Sequence, residues 1–175
     1  MGDPTPSRRL TGDEALRGAL VQELLAARLI GVFATHDESG AIHAVPMWFA
    51  LVEDEIVLAT SSGSRKVRNL EVDLRATLVV HDSRPGIEVC GVSLLGRADI
   101  VRGEDALPLV AAVHARYVDA ARAAPEARVF LASDDVALRF SVDSAFSWDE
   151  RGSVANAALR ASGAALPLLG TEPRP

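Results

Sequence analysis

Cysteine is nearly absent from this 175-residue chain: Cys90 stands alone, so neither a disulfide framework nor a cysteine metal cluster can be built. Lysine is equally scarce, with Lys66 the only one among cations that are otherwise arginines. Positive charge is in deficit overall, and the net charge of −6 argues against a general nucleic-acid or anionic-membrane surface. No apolar run approaches the length needed to span a bilayer. The opening MGDPTPSRRLTGDE has no apolar stretch behind its arginines, so a secretory signal is not expected and a cytoplasmic protein is. Neither the G-x-x-x-x-G-K-[ST] phosphate loop nor the G-x-S-x-G nucleophile elbow occurs, and there is no internal repeat. What is present is a chain 49% hydrophobic and 24% charged, the balance of one globular domain with a substantial core.

Residues 1–11 are Pro-rich and polar and read as a flexible N-terminal arm; 12–149 read as the folded domain, and 150–175 as an Ala/Gly/Pro-rich tail, docked or disordered. TGDE (11–14) has the form of a capping box, and Leu16, Leu20, Leu24 and Ala27 recur at helical spacing behind it. Strands are expected at Leu29–Thr35, Ile42–Val52 and Ile56–Thr60, with DESG and EDE as turns short enough to force antiparallel neighbours. Pro46 cannot donate to a ladder, so it marks an edge, a bulge or a break in the second strand. Ala76–His81, Ile87–Val101 and Val136–Trp148 complete the strands, with bends at Gly91 and Gly96, and Glu104–Ala123 is expected as a helix with Leu107, Val110, Val113 and Val118 inward. Runs of strands with helices at the ends favour an α+β fold: six or more antiparallel strands around a small barrel, with flanking helices.

The segment SSGSRKVRNL (61–70) carries the sharpest chemical signal. Ser64 is a natural N-cap, yet Arg65 and Lys66 occupy the first helical turn, where the partial positive charge of exposed N–H groups prefers carboxylates. With Thr60, Ser61 and Ser62 upstream, the cluster reads either as a phosphate cradle or as a solvated, N-capped helix with incidental cations. Val45-Pro46-Met47-Trp48 reads either as the wall of a planar-ligand site or as an edge strand with Trp48 in the core. Trp148, ending the last strand, either covers a bound ring or plugs the barrel. His36, His43, His81 and His114 lack metal-site spacing, so no metal is expected.

The stretches ATHDESGAIHAVPMWF, LATSSGSRKVRNL and VSLLGRADIV, in this order, resemble the pyridoxamine 5′-phosphate oxidase-like split-barrel superfamily from about Leu20 to Trp148, and the PMWF and K-V-R-N-L combination is most similar to its branch that uses the deazaflavin coenzyme F420. Other members bind FMN, and some bind haem. The resemblance implies an FMN-binding split barrel in which Val45, Pro46, Met47 and Trp48 line the flavin or deazaflavin ring. It implies further that Thr60 and Ser61 approach the ribityl phosphate and that Ser64, Arg65 and Lys66 hold the phosphate, while Asn69 fits the motif and either joins the site or serves the loop's own hydrogen bonds. Trp148 is the remaining candidate for covering the ring. A homodimer with the cofactor between subunits is implied as well.

True pyridoxamine phosphate oxidases carry an arginine where His43 lies and a C-terminal Arg-x-His that SVDSAFSWDE lacks, so vitamin B6 oxidation is not expected. The expected activity is hydride transfer between bound F420, with FMN close behind, and a small unsaturated substrate, the proton coming from solvent or from an unplaced tyrosine or histidine. The alternative is a non-catalytic FMN, F420 or haem binding protein.

Overall fold

Strand β2 (Gly31–His36) alternates buried and half-buried positions, with Phe33 and Thr35 turned inward. Asp37 then starts the expected turn: its Oδ1 accepts from the Ser39 and Ala41 N–H groups at 3.0 and 2.9 Å, and Gly40 takes the left-handed conformation (φ 81°) that closes the hairpin onto β3 (Ile42–Met47). A second hairpin joins β4 (Phe49–Val52) to β5 (Glu55–Ser61) through Glu53 and Asp54, both at positive φ, the geometry whose twist matches that of the strands. These coordinates are a computed structural model, and they describe residues 8–11, 14–84, 88–118, 125, 128–129 and 134–162.

The remaining elements are β1 (Arg8–Thr11), α1 (Glu14–Arg17), α2 (Ala19–Ala26), α3 (Arg65–Val72), β6 (Arg75–Arg84), β7 (Glu88–Val101), a 3₁₀ turn over Gly103–Ala106 leading into α4 (Leu107–Tyr117), β8 (Asp135–Asp149) and α5 (Val154–Ala161). Among the described residues, seven strands form one antiparallel sheet in the order β3-β2-β6-β7-β8-β5-β4, and β1 adds to β8. The two ends of that order, β3 and β4, are consecutive in the chain and separated by Trp48 alone. The sheet therefore curls until both edges share one continuous stretch of backbone, which pairs first with β2 and then with β5. The expected α+β antiparallel barrel with flanking helices is what the chain forms.

Two apolar clusters hold this shape. Inside the curl, Phe33 meets Phe140 edge-on at 6.0 Å, with Phe49, Leu58, Leu78 and Leu94 around them, closed off by Leu24 and Leu25 of α2 and by Val67 and Leu70 of α3. On the opposite face of β4, β5 and β8, Leu109, Val110 and Val113 of α4 cover Ala50, Val57 and Ala137. Burying one large aliphatic or aromatic side chain contributes about 1.5–3 kcal/mol, so helix docking follows from these few residues. Gly96 marks the bulge where the β7–β8 register shifts, because a Cβ there would lie 1.9 Å from the Ser141 carbonyl oxygen.

Several expectations are corrected. The strand expected over Ile42–Val52 is two, divided at Trp48; of the three readings of Pro46 the edge holds, since Pro46 stays in register opposite Val32 in an edge strand whose outer side needs no donor. Arg8–Thr11 pair with Ser144–Ser147 of β8, so part of the expected loose arm is strand. The helix behind it is interrupted at Gly18, where the backbone is extended (ψ 133°). The helix expected over Glu104–Ala123 ends at Tyr117, and residues 119–123 lie outside the described residues, as do 1–7, 12–13 and 163–175. Within the 150–175 tail, Val154–Ala161 is helical, and the side chains described there are exposed.

Candidate functional site

The split in the sheet leaves a consequence on β5. Its Glu55–Leu58 half pairs with β4, whereas Ala59, Thr60 and Ser61 have ladder partners only in β8. A cleft of about 440 Å³ opens along that side, lined by Ile30, Pro46, Met47, Trp48, Ala59, Thr60, Lys66, Val113, His114 and Asp135. Its apolar lining comes from Ile30, the end of β3, Ala59 and Val113, and its polar lining from Thr60 of β5, Lys66 of α3, His114 of α4 and Asp135 at the start of β8. Trp48 is 38% exposed and stacks on Tyr117 at 4.8 Å with an interplanar angle of 10°, with the His114 ring edge-on at 5.8 Å. Tyr117 braces the break itself: its hydroxyl accepts from the Phe49 N–H (3.3 Å) and donates to the Leu29 carbonyl (2.6 Å). Arg116 locks the same corner from behind, lying 4.4 Å over the Phe49 ring and donating to the Leu25 and Ala27 carbonyls at the end of α2.

The cations at the start of α3 separate in space. Arg65 turns to the β2–β3 hairpin and pairs with Asp37 at 2.6 Å, where hydrogen bonds from Ser39 first and Arg65 second hold that carboxyl down to about 2. Arg68 donates to the Gly63 carbonyl. Lys66 alone faces the cleft. Its Nζ donates to Thr60 Oγ1 at 2.8 Å, it forms no ion pair among the described residues, and burial lowers its pKa against the opposing pull of Asp135. Ser64 holds the N-cap position but makes no side-chain cap bond; its hydroxyl lies 3.4 Å from Thr60 Oγ1. The helix start thus presents N–H groups with no side-chain cap next to a half-buried ammonium.

Of the residues singled out from sequence, Pro46, Met47, Trp48, Thr60 and Lys66 meet in one cleft. Val45 is half-buried and packs toward the core. Ser61 and Ser64 flank the cleft, with the Ser61 carbonyl accepting from the Ser64 N–H at 3.1 Å. Arg65 is directed away, to Asp37. Asn69 is buried and donates from Nδ2 to Thr35 Oγ1 at 2.9 Å, tying α3 to β2 rather than facing the cleft. Trp148 sits at the far end of β8 from Asp135, over Gly91, where a Cβ would come within 2.2 Å of its ring. It is not among the residues that line the cleft. Sequence reasoning gave His114 no role and did not single out Tyr117 or Asp135. The i, i+3 spacing of His114 and Tyr117 put both on one face of α4, but only their shared contact with Trp48 shows what that face does.

Among the described residues no group of three or more His, Cys, Asp and Glu could hold a metal, and no helix is long and apolar enough to cross a membrane. The donor set fits a planar cofactor bearing a phosphate. It offers an apolar wall for the ring, a strand end without a partner on the cleft side, and one cation beside an open helix start.

A curled antiparallel sheet split at one residue, with its cleft in the split, defines a split-barrel protein of the α+β class. The sequence model of the pyridoxamine 5′-phosphate oxidase family matches residues 19–149, and the chain belongs to that family. Solved structures share the fold at low identity. A conserved hypothetical protein from Mycobacterium tuberculosis is 24% identical with a TM-score of 0.67, covering 94% of this chain and 98% of the other. An F420 reductase is 19% identical with a TM-score of 0.54, covering 71% and 94%. The haem storage protein HutZ from Vibrio cholerae is 16% identical with a TM-score of 0.58, covering 70% and 87%. A search of curated proteins finds no match.

Proposed function

We propose that the protein is an oxidoreductase that passes a hydride between a bound deazaflavin or flavin, F420 ahead of FMN, and a small, planar, unsaturated substrate in the cytoplasm. The observation that carries this reading is the cleft at the split, where the half-buried Lys66 ammonium shares one cavity with Pro46, Met47 and Trp48 beside the end of β5 that β4 does not pair. Lys66 and the helix start at Ser64 would hold the phosphate, with Thr60 and Ser61 beside it. Ile30, Pro46, Met47 and Trp48 would face the ring and keep water from it. When bound, the cofactor supplies the hydride chemistry. The preference for F420 rests on the PMWF and K-V-R-N-L motifs. A homodimer belongs to the same proposal: the outward face of β7 and β8 exposes Val89, Leu95 and Phe146 at 37, 39 and 42%, a stripe that a second copy would cover.

The test is titration of stripped protein, made in a host without the deazaflavin, with FMN and with F420, alongside Lys66→Ala and Arg65→Ala. Loss of a hydrogen-bonded charge contact of about 1.5–3 kcal/mol gives Lys66→Ala a 10- to 100-fold weaker Kd on the order of that energy. Arg65→Ala should change Kd by less than about 5-fold, since Arg65 is already engaged by Asp37. If neither cofactor binds the unaltered protein, the proposal fails.

A further inference from the structure

Trp48 lines the cleft but is not one of the side chains that make up either apolar cluster. Among the described residues its ring contacts are with α4: Tyr117 stacked at 4.8 Å and His114 edge-on at 5.8 Å. Tyr117 does not line the cleft itself. It ends α4, and its hydroxyl spans two separate backbone segments, accepting from the Phe49 N–H at 3.3 Å and donating to the Leu29 carbonyl at 2.6 Å. Phe49 follows Trp48 directly and Leu29 precedes Ile30, so each hydrogen bond anchors the neighbour of a residue in the apolar lining. The preceding residue, Arg116, donates to the Leu25 and Ala27 carbonyls, so the same helix end also fixes the chain that enters β2. Leu109, Val110 and Val113 seat α4 in turn against Ala50, Val57 and Ala137. Burial pushes the Tyr117 phenol up, against smaller downward pulls from the Phe49 N–H, Arg116 and Arg28, so the hydroxyl keeps its proton and the bond to Leu29 persists at neutral pH.

We propose that Tyr117 is the positioning residue of this site: from behind the cleft it holds Trp48 and Ile30 in place, so that a planar ring meets a wall formed in advance. The inference rests on the proposed function and deepens it, by naming the residue that sets the ring's share of the affinity. A side chain left free to change rotamer must be immobilised by the ligand, and that ordering weakens binding. With Tyr117 present, the stack orders the Trp48 ring and the two hydrogen bonds order the backbone beside Trp48 and Ile30 before any ligand arrives. The phosphate end is ordered by other groups, with Lys66 of α3 donating to Thr60 of β5 at 2.8 Å. Tyr117 therefore acts on the ring's share of binding and leaves the phosphate's share alone.

The test compares unaltered protein with Tyr117→Phe, which keeps the stack and loses the hydroxyl, and with Tyr117→Leu, which loses both. FMN is titrated beside riboflavin, and F420 beside its phosphate-free deazaflavin chromophore, with Lys66→Ala as the control for the phosphate. Affinity for each ring that binds should fall on the order of 3- to 10-fold in Tyr117→Phe, and further in Tyr117→Leu. The affinity ratio between each phosphate-bearing ligand and its phosphate-free counterpart should stay within about 2-fold of the unaltered value in both variants, and collapse in Lys66→Ala. If Tyr117→Leu does not fold, Tyr117→Phe decides alone. Fluorotryptophan labelling gives two fluorine resonances, because the chain has two tryptophans, and Trp148→Phe assigns them. In ligand-free Tyr117→Phe the Trp48 line should broaden or double while the Trp148 line stays single. A Trp48 line as sharp as in the unaltered protein, or ring affinities that do not change, overturns the inference even where the variant is less stable, since a merely structural hydroxyl moves neither reading. Loss confined to the phosphate-bearing ligands overturns it as well, by placing the effect at the phosphate; both results leave the proposed function standing. If the unaltered protein binds neither FMN nor F420, the proposed function falls and this inference with it.

Discussion

Asn69 is where the motif and the three-dimensional structure assign different work, and a double-mutant cycle decides between them. Its Nδ2 donates to Thr35 Oγ1 at 2.9 Å, and the two residues are only 6% and 1% exposed. Asn69→Ala leaves the Thr35 hydroxyl buried without that donor, a penalty of about 1–3 kcal/mol, to which a small cavity adds. The expected loss is about 2–3 kcal/mol, a large share of the stability of an ordinary domain. Thr35→Val leaves the Asn69 amide without its acceptor and should cost a comparable amount. The double variant has neither orphan, so it should lose about 1–2 kcal/mol less than the sum of the singles. Urea unfolding followed by circular dichroism measures all four proteins. Costs that add within about 0.5 kcal/mol would refute the bond's energetic role. A loss of FMN or F420 affinity in folded Asn69→Ala, with Thr35→Val unaffected, would return Asn69 to the cofactor site.

Two further outcomes follow from the same coordinates. Gly96→Ala places a Cβ 1.9 Å from the Ser141 carbonyl oxygen across the β7–β8 bulge, so the strands must part; a loss above about 3 kcal/mol or failure to fold is expected, and a thermal midpoint within a few degrees of the unaltered protein would refute it. Asp37 is held down to about 2 by Ser39 and Arg65, below the ordinary aspartate value of about 3.9. A depressed folded-state pKa contributes stability above the unfolded value and loses it as pH falls from about 4 through about 2. Asp37→Asn should therefore flatten the fall of the thermal midpoint across that window, leaving the share of Asp73, which Arg75 holds down in the same way. A difference between the two proteins that stays constant from pH 5 to pH 2 would refute it.

The parts of the fold legible in the chain are those set by neighbours in sequence. Short apolar runs between turn residues mark β2 and β5, and DESG marks its turn because Asp37 caps its own hairpin. SSGSRKVRNL marks a helix start with the wrong charge for its dipole. Pro46 marks an edge, a bulge or a break from its missing donor alone, and the sheet order selects the edge, where the outer side needs no donor. Nothing local distinguishes Trp48 as the residue at which one strand changes partners from β2 to β5; that follows from curling the whole sheet.

The site divides along the same line. Sequence by itself determined that Lys66 stands at a helix start after a strand rich in hydroxyls, and that Pro46, Met47 and Trp48 are consecutive where a strand lacks a ladder donor, since both are statements about consecutive residues. Only the tertiary structure decided which cation is available, because Asp37, far from Arg65 in the chain, takes Arg65 and leaves Lys66 to the cleft. It also brought His114, Tyr117 and Asp135 to Trp48 and Lys66. Those contacts depend on α4 packing against β4, β5 and β8, and on β8 returning beside β5, pairings between distant segments that burial of the core selects and that no local pattern encodes.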